Sequence, residues 1–242
     1  MDILKVENLT KRFGDAVAVK GVSLAIERGK VYALIGPNGS GKTTLVKTVA
    51  GLLHPSQGKV LVNGADAVRD PVTAKAAIGY IPDEPSVWAG MTGEEFLHFI
   101  GALFGVAEAA RRERIAALLA KFHLAGIEKG YFEDYSRGNK QKFTIIAALL
   151  HEPKLLLVDE PIVGLDPESA EIAKHEFRAF ADRGGAVLIV THTLTVAQEI
   201  ADMIGVLKNG TLVASAPFAD LVRMAKLDTK ADLVAVYRAL AE

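Results

Sequence analysis

The sequence predicts an α/β fold: a core in which strands alternate with helices, an N-terminal antiparallel β layer, and a helical sub-domain inserted into the core. Three observations predict it. Short apolar runs, "KVYALIG", "KLLLVDE" and "AVLIVTH", end in glycine or polar residues, as strands buried on both faces do. Stretches with helical spacing stand between them. From about residue 90 to 150 the strand signals stop and one helical stripe follows another.

Each element has its own signal. "GVSLAIERG" places Val22, Leu24 and Ile26 on one face of a strand and turns at Gly29. After "KVYALIG", the stretch "TTLVKTVAGLL" sets Leu45, Val49 and Leu52 at helical spacing, and "GKVLVNG" is a further strand. In the helical stretch, Thr92 and Glu95 form a capping-box pair ahead of a stripe of Phe96, Ile100 and Leu103. "RRERIAALLAKF" gathers Ile115, Leu118, Leu119 and Phe122, with "RRER" as its solvated start. Between "KLLLVDE" and "AVLIVTH" lies a helix with Asp166 as N-cap, Pro167 at its first position and Gly184 near its end. "GVLKNGTLVA" reads as a hairpin with an Asn-Gly turn, and two short helical patterns close the chain. The expected organisation is a single domain over 1–242: core 1–88 and 151–216, helical sub-domain 89–150, helical tail 217–242.

Composition narrows the function classes. The chain has 242 residues, half of them apolar and a quarter charged. Its net charge of −1 argues against a general nucleic-acid binder, which carries a basic face. The absence of cysteine excludes a disulfide framework and a thiolate metal site, and fits a reducing compartment. The start, "MDILKVENLT", lacks the charged and apolar regions of a signal peptide. No apolar run approaches ~18 residues, so nothing here is expected to span a membrane alone. The positive mean hydropathy comes from the many short buried strands.

Chemistry concentrates at three places. "GPNGSGKTT" (Gly36, Pro37, Asn38, Gly39, Ser40, Gly41, Lys42, Thr43 and Thr44) matches the phosphate-binding pattern G-x-x-x-x-G-K-[ST] between a strand and a helix. Glycines let successive backbone N–H groups turn inward around phosphate oxygens. Lys42 sets a point charge on the terminal phosphates, the Thr43 hydroxyl ligates Mg²⁺, and the helix adds its N-terminal dipole. At the end of "LLLVDEP", Asp159 and Glu160 face opposite ways. With Asp159 on a metal, Glu160 lies near an attacking water. Third, "SRGNK" offers a hydroxyl, a glycine backbone and cations where the helix "FTIIAALL" begins, a partial second anion cradle. As a purely structural residue, Ser136 would be an N-cap.

In this order the motifs resemble those of the nucleotide-binding subunit of an ATP-binding cassette (ABC) transporter, over nearly the whole chain. Gly36–Thr44 matches that family's Walker A loop and Leu155–Glu160 its Walker B strand. "YSRGN" stands where the family has its signature L-S-G-G-Q, "VGLDP" resembles its D-loop, His192 stands at its switch histidine, and Phe13 at the aromatic that stacks on adenine.

The resemblance implies a RecA-like P-loop NTPase core that binds ATP and Mg²⁺. It makes Glu160 the general base and His192 the γ-phosphate sensor, with Thr43, Asp159 and Asp83 on the metal side. It implies two subunits head to tail, copies or sisters, with Ser136, Arg137, Gly138, Asn139 and Asp166 of one acting on nucleotide held by the other. ATP hydrolysis would power transport through a separate integral membrane permease, from the cytoplasmic face of the cell membrane.

The chain departs from the pattern twice. Arg137 and Asn139 replace the usual Gly and Gln of the signature; "Y-S-basic-G" followed by "KQK" is similar to exporters whose membrane half is a separate protein. In "GYIPDEP", Asp83 replaces the Q-loop glutamine, and a carboxylate is a hard ligand suited to Mg²⁺. Two other readings remain at this level. A soluble single-cassette scaffold ATPase fits the same motifs, whereas a small-molecule P-loop kinase would leave "YSRGN", "GLDP" and His192 without a joint purpose.

Overall fold

The computed structural model describes residues 1–160 and 162–241; Glu242, the last residue of the expected tail, lies outside the described residues. Two sheets organise the chain. Strands β1 (Asp2–Phe13), β2 (Ala16–Glu27), β4 (Gln57–Val62) and β5 (Ala65–Asp66) form an antiparallel sheet in the order β2-β1-β4-β5. Strands β3 (Val31–Ile35), β6 (Ile78–Ile81), β7 (Leu155–Asp159), β8 (Ala186–Thr191), β9 (Met203–Lys208) and β10 (Thr211–Ala216) form the central sheet, in the order β10-β9-β3-β8-β7-β6. All its neighbours pair in parallel except the β9–β10 hairpin. That hairpin turns at Asn209 and Gly210, both with positive φ, as an Asn-Gly type I′ turn demands.

The apolar runs are continuous because the central sheet is covered twice. Along β7, Leu155 and Leu157 join the core under the antiparallel sheet, while Leu156 and Val158 join the core on the opposite face. The first core is filled by Leu45, Val46 and Val49 of α1 (Lys42–Val49), packed with residues of both sheets. The second combines α3 (Gly93–Leu103), α4 (Glu108–Lys121), α5 (Arg137–Leu149) and α6 (Pro167–Asp182). Phe132 anchors it, with its ring edge-on to Phe96 at 5.2 Å and to Phe143 at 5.3 Å between centroids. A third core packs α7 (Leu194–Ile200), α8 (Phe218–Met224) and α9 (Leu233–Ala241) against β3 and β9. A short helix α2 (Pro71–Ala76) leads into β6.

The local signals hold where they concern helix ends. Thr92 and Glu95 form the full capping box of α3, and Asp166 caps α6 with Pro167 at its first position. Two apolar positions break their stripes. Leu52 is 58% exposed because α1 ends at Val49, before the stripe's last turn. Leu103 is 68% exposed at the end of α3, where the helix has left the core.

Candidate nucleotide site

The site lies at the carboxyl ends of β3, β8, β7 and β6, where open α/β sheets hold their ligands. After β3 the chain enters the loop Gly36–Gly41, clamped by its neighbours. A β-carbon on Gly36 would lie 2.3 Å from the main-chain O of Leu207, and one on Gly41, at φ 104°, 2.3 Å from that of Ala18. The Gly210 N–H donates to Ser40 O at 2.9 Å, tying the loop to the β9–β10 turn. Only glycine lets the backbone run this close.

The loop is built to take an anion. Helix α1 begins without a side-chain cap and without an acid in its first turn, so its free N–H groups face the loop. The Ser40 hydroxyl is buried and has no partner. Lys42 is buried and donates to Gly36 O at 2.8 Å and Pro37 O at 3.0 Å. Burial lowers its pKa, against the opposing pull of Glu160 and Asp159. An orphaned hydroxyl, a lysine satisfied by carbonyls alone and an uncapped helix start together fit a phosphate chain.

Next to the loop stands a buried carboxyl. Thr43 Oγ1 donates to Asp159 Oδ1 at 3.4 Å, and Asp159 is 1% exposed. Burial pushes the Asp159 carboxyl up to about 6, and the charges of Asp83 and Glu160 push the same way. Among the described residues no group of three or more His, Cys, Asp or Glu could hold a metal by itself. A cation here needs further oxygens from phosphate and water, which is how Mg²⁺ is ordinarily bound.

Glu160 turns away from Asp159 through a left-handed backbone, φ 50°, rare for a residue with a side chain. Its carboxylate reaches the end of β8, where Thr191 Oγ1 donates to Oε2 at 3.0 Å and the His192 N–H donates to Oε1 at 2.9 Å. His192 Nδ1 stands 2.7 Å from the same Oε1. A carboxylate only accepts, so Nδ1 carries the proton and Nε2 is free to turn elsewhere. Thr191 is a site residue the sequence reading passed over, although it immediately precedes His192.

A second group of expected residues gathers at the start of α5. Ser136 caps the helix, accepting from the Asn139 N–H at 3.2 Å. Gly138 abuts the turn before α6: a β-carbon on it would lie 2.6 Å from Gly164 O. Asp166 accepts from Ser169 N and Oγ at 2.8 and 2.6 Å and faces Lys142 Nζ at 3.3 Å. The Ser169 bonds, with Lys142 behind them, hold its carboxyl well below the ordinary carboxylate range. Gln141 Nε2 donates to Pro82 O at 3.5 Å, and Arg137 pairs with Asp83. Lys142 and Gln141 also join this cluster; the motifs do not single them out, although both lie in "KQK" directly after "YSRGN". Phe13 ends β1 half exposed, with Lys11 Nζ 4.9 Å over its ring.

The contacts thus gather the expected residues into two clusters within one chain: Lys42, Thr43, Asp159, Glu160 and His192 near the loop, and Ser136 to Asn139 with Asp166 at the start of α5. Beside them opens an apolar groove of about 580 Å³, lined among others by Leu52, Tyr80, Trp88, Phe96, Phe104 and His151. Trp88, Leu52 and Phe104 are all exposed.

A glycine-clamped loop after β3, with two adjacent acids at the end of the buried strand β7 beside it, is the arrangement of a P-loop nucleoside triphosphatase. The family model "ABC transporter" matches residues 19–163. The linearmycin resistance ATP-binding protein LnrL of Bacillus subtilis is 32% identical over 219 residues, 90% of this chain and 70% of that protein. A solved ATP-binding subunit of an ABC transporter superposes with a TM-score of 0.94 at 32% identity, covering 98% of this chain and 99% of the other. A dimeric ATP-binding cassette in a post-hydrolysis state, bound to ADP and Pi, superposes with a TM-score of 0.80 at 25% identity, covering 88% and 98%. The chain belongs to the ABC transporter family, as an ATP-binding and ATP-hydrolysing subunit. Among the described residues no helix is long and apolar enough to cross a membrane.

Proposed function

We propose that this subunit holds Mg-ATP between two cassettes placed head to tail, and that closing and reopening of the pair drives export through a separate membrane permease. The observation that carries the reading is the division of the phosphate-binding groups into two half-sites on one chain. Each is incomplete alone, and a head-to-tail partner completes both. The dimeric neighbour bound to ADP and Pi supports the pairing. The B. subtilis relative is a resistance protein, which supports outward transport.

In this reading Lys42 and the N–H groups of Gly36–Thr44 bind the phosphates, and Phe13 stacks on the adenine. Thr43 and Asp159 hold Mg²⁺, with Asp83 on the same side. When bound, the cation offsets phosphate charge and orients the terminal group. Glu160 takes the proton of the attacking water. In the open chain Thr191 and His192 hold the carboxylate in place; Oε1 accepts two hydrogen bonds and Oε2 one, which leaves Oε2 a lone pair for the water. His192 keeps Glu160 oriented through Nδ1 and senses the γ-phosphate with the rest of its ring. Ser136, Arg137, Gly138 and Asn139 close over the partner's nucleotide, with Asp166 behind them. Closure depends on contacts made only to the terminal phosphate, so hydrolysis reopens the pair. The apolar groove beside Trp88 and Phe104 receives the permease. In this reading the subunit works in the cytoplasm, peripheral on the membrane's cytoplasmic face, paired with a copy or a sister subunit.

A mixing experiment tests the half-site reading. Lys42→Ala spoils one half and Ser136→Arg the other, with Glu160→Gln added to both so that bound ATP is not turned over. Each variant alone should retain little labelled ATP. Mixed, they form pairs in which both lesions fall in one site and the other is intact, so retention should return. A mixture no better than its parts, repeated in a linked tandem dimer with both lesions in one designated site, would refute a trans site.

A further inference from the structure

Arg137 is the first residue of α5, directly after the cap Ser136. Its stem runs along Gly164, which at φ 88° and without a side chain leaves it a track. A β-carbon on Gly164 would lie 3.4 Å from Arg137 Cδ and 3.6 Å from Cγ. From there Arg137 Nη2 reaches Asp83, 3.4 Å from its main-chain O and 3.6 Å from its Oδ1. One cation therefore touches three segments: the start of α5, the turn before α6 and the chain leaving β6. Both side chains of the pair are half exposed. An ion pair of this kind is weak, and a stronger anion can take one partner from it. A phosphate is such an anion, because it offers the guanidinium two parallel hydrogen bonds where Asp83 presents one carboxylate oxygen and a carbonyl.

We propose that Asp83 is the resting counter-ion of Arg137, and that the terminal phosphate on the partner subunit takes Arg137 from it when the pair closes. The proposal rests on the start of α5 being a trans half-site. Within the open chain the carboxylate keeps the guanidinium aimed along the α5 start but engaged. Closure then includes the loss of an intrachain pair on each subunit, which raises the ATP concentration needed to close. Asp83 and Arg137 are the two charged residues in this chain's departures from the family pattern, and the structure puts them against each other.

The test is a double-mutant cycle on dimer formation in the Glu160→Gln protein. Sedimentation gives the ATP concentration at which half the protein is dimeric. Asp83→Asn should lower that midpoint about two- to fivefold, the range an exposed pair allows. Arg137→Gln should raise it. In the Arg137→Gln background, Asp83→Asn should change nothing. A midpoint that Asp83→Asn leaves unchanged or raises overturns the proposal. So does a gain that persists without Arg137, because it would come from removing negative charge near the phosphates and not from freeing the cation. The parent protein separates the two layers. If Glu160→Gln binds ATP yet stays monomeric, the trans half-site falls and the latch with it; if it dimerises but ignores the pair, the latch alone falls.

Discussion

Replacing Asp159 by asparagine should stabilise the protein in the absence of metal, by an amount that depends on pH. Asp159 ends β7, is 1% exposed, and has one weak partner, the Thr43 hydroxyl at 3.4 Å. Burial raises its pKa from 3.8 to about 6 in the folded chain. The folded state therefore holds this proton more tightly than the unfolded state. Below about pH 4 both states are protonated and Asp159 costs nothing. Between about pH 4 and 6 the unfolded chain ionises while the folded one resists, so stability falls as pH rises. Above about pH 6 the full cost remains: about two units at 1.36 kcal/mol each, or roughly 3 kcal/mol. Asp159→Asn keeps the shape and removes the charge. In EDTA at pH 8 it should be more stable than the parent by up to roughly 3 kcal/mol, and the gap should close toward zero near pH 4. Guanidinium unfolding at the two pH values measures this directly. Mg²⁺ with ATP should then raise the parent's stability more than the variant's, because the cation compensates a charge that the variant lacks. A gap that ignores pH, or a variant less stable at pH 8, would refute the argument that Asp159 is a buried charge held for a cation.

Two shorter expectations concern the loop and the groove. Gly36→Ala puts a β-carbon 2.3 Å from the β9 main chain and 2.8 Å from Ser40 Oγ, so the loop must shift. With overpacking costing about 1–3 kcal/mol, ATP affinity in a fluorescent-analogue titration should drop about tenfold or more, and parental affinity would show that the loop yields freely. Trp88→Ser combined with Phe104→Ser should leave ATP binding intact but reduce recovery of the subunit with the membrane fraction; undiminished recovery would remove the groove as the permease's seat.

Much of this protein is local physics, and that part the sequence determined by itself. Gly36 to Thr44 had to be a phosphate loop because glycine spacing, a lysine and a hydroxyl act within nine consecutive residues. Thr92 with Glu95, and Asp166 ahead of Pro167, mark helix starts because a cap bonds to a backbone only three residues away. Apolar spacing placed the buried strands for the same reason. It misplaced Leu52 and Leu103 because periodicity does not say where a helix stops touching its core.

What the tertiary structure alone decided lies between residues far apart in the chain. Thr191 donates to Glu160 across 31 positions, Arg137 to Asp83 across 54, and Thr43 to Asp159 across 116. Those meetings follow from the order β3-β8-β7-β6, which brings four strand ends to one edge. The same order explains why Asp83, read as a metal-side residue, has Arg137 as its partner, and why Asp166 also carries Lys142. Strand order is set by how two apolar faces of a sheet are covered at once. That is a property of the whole packed chain, and no window of a dozen residues contains it.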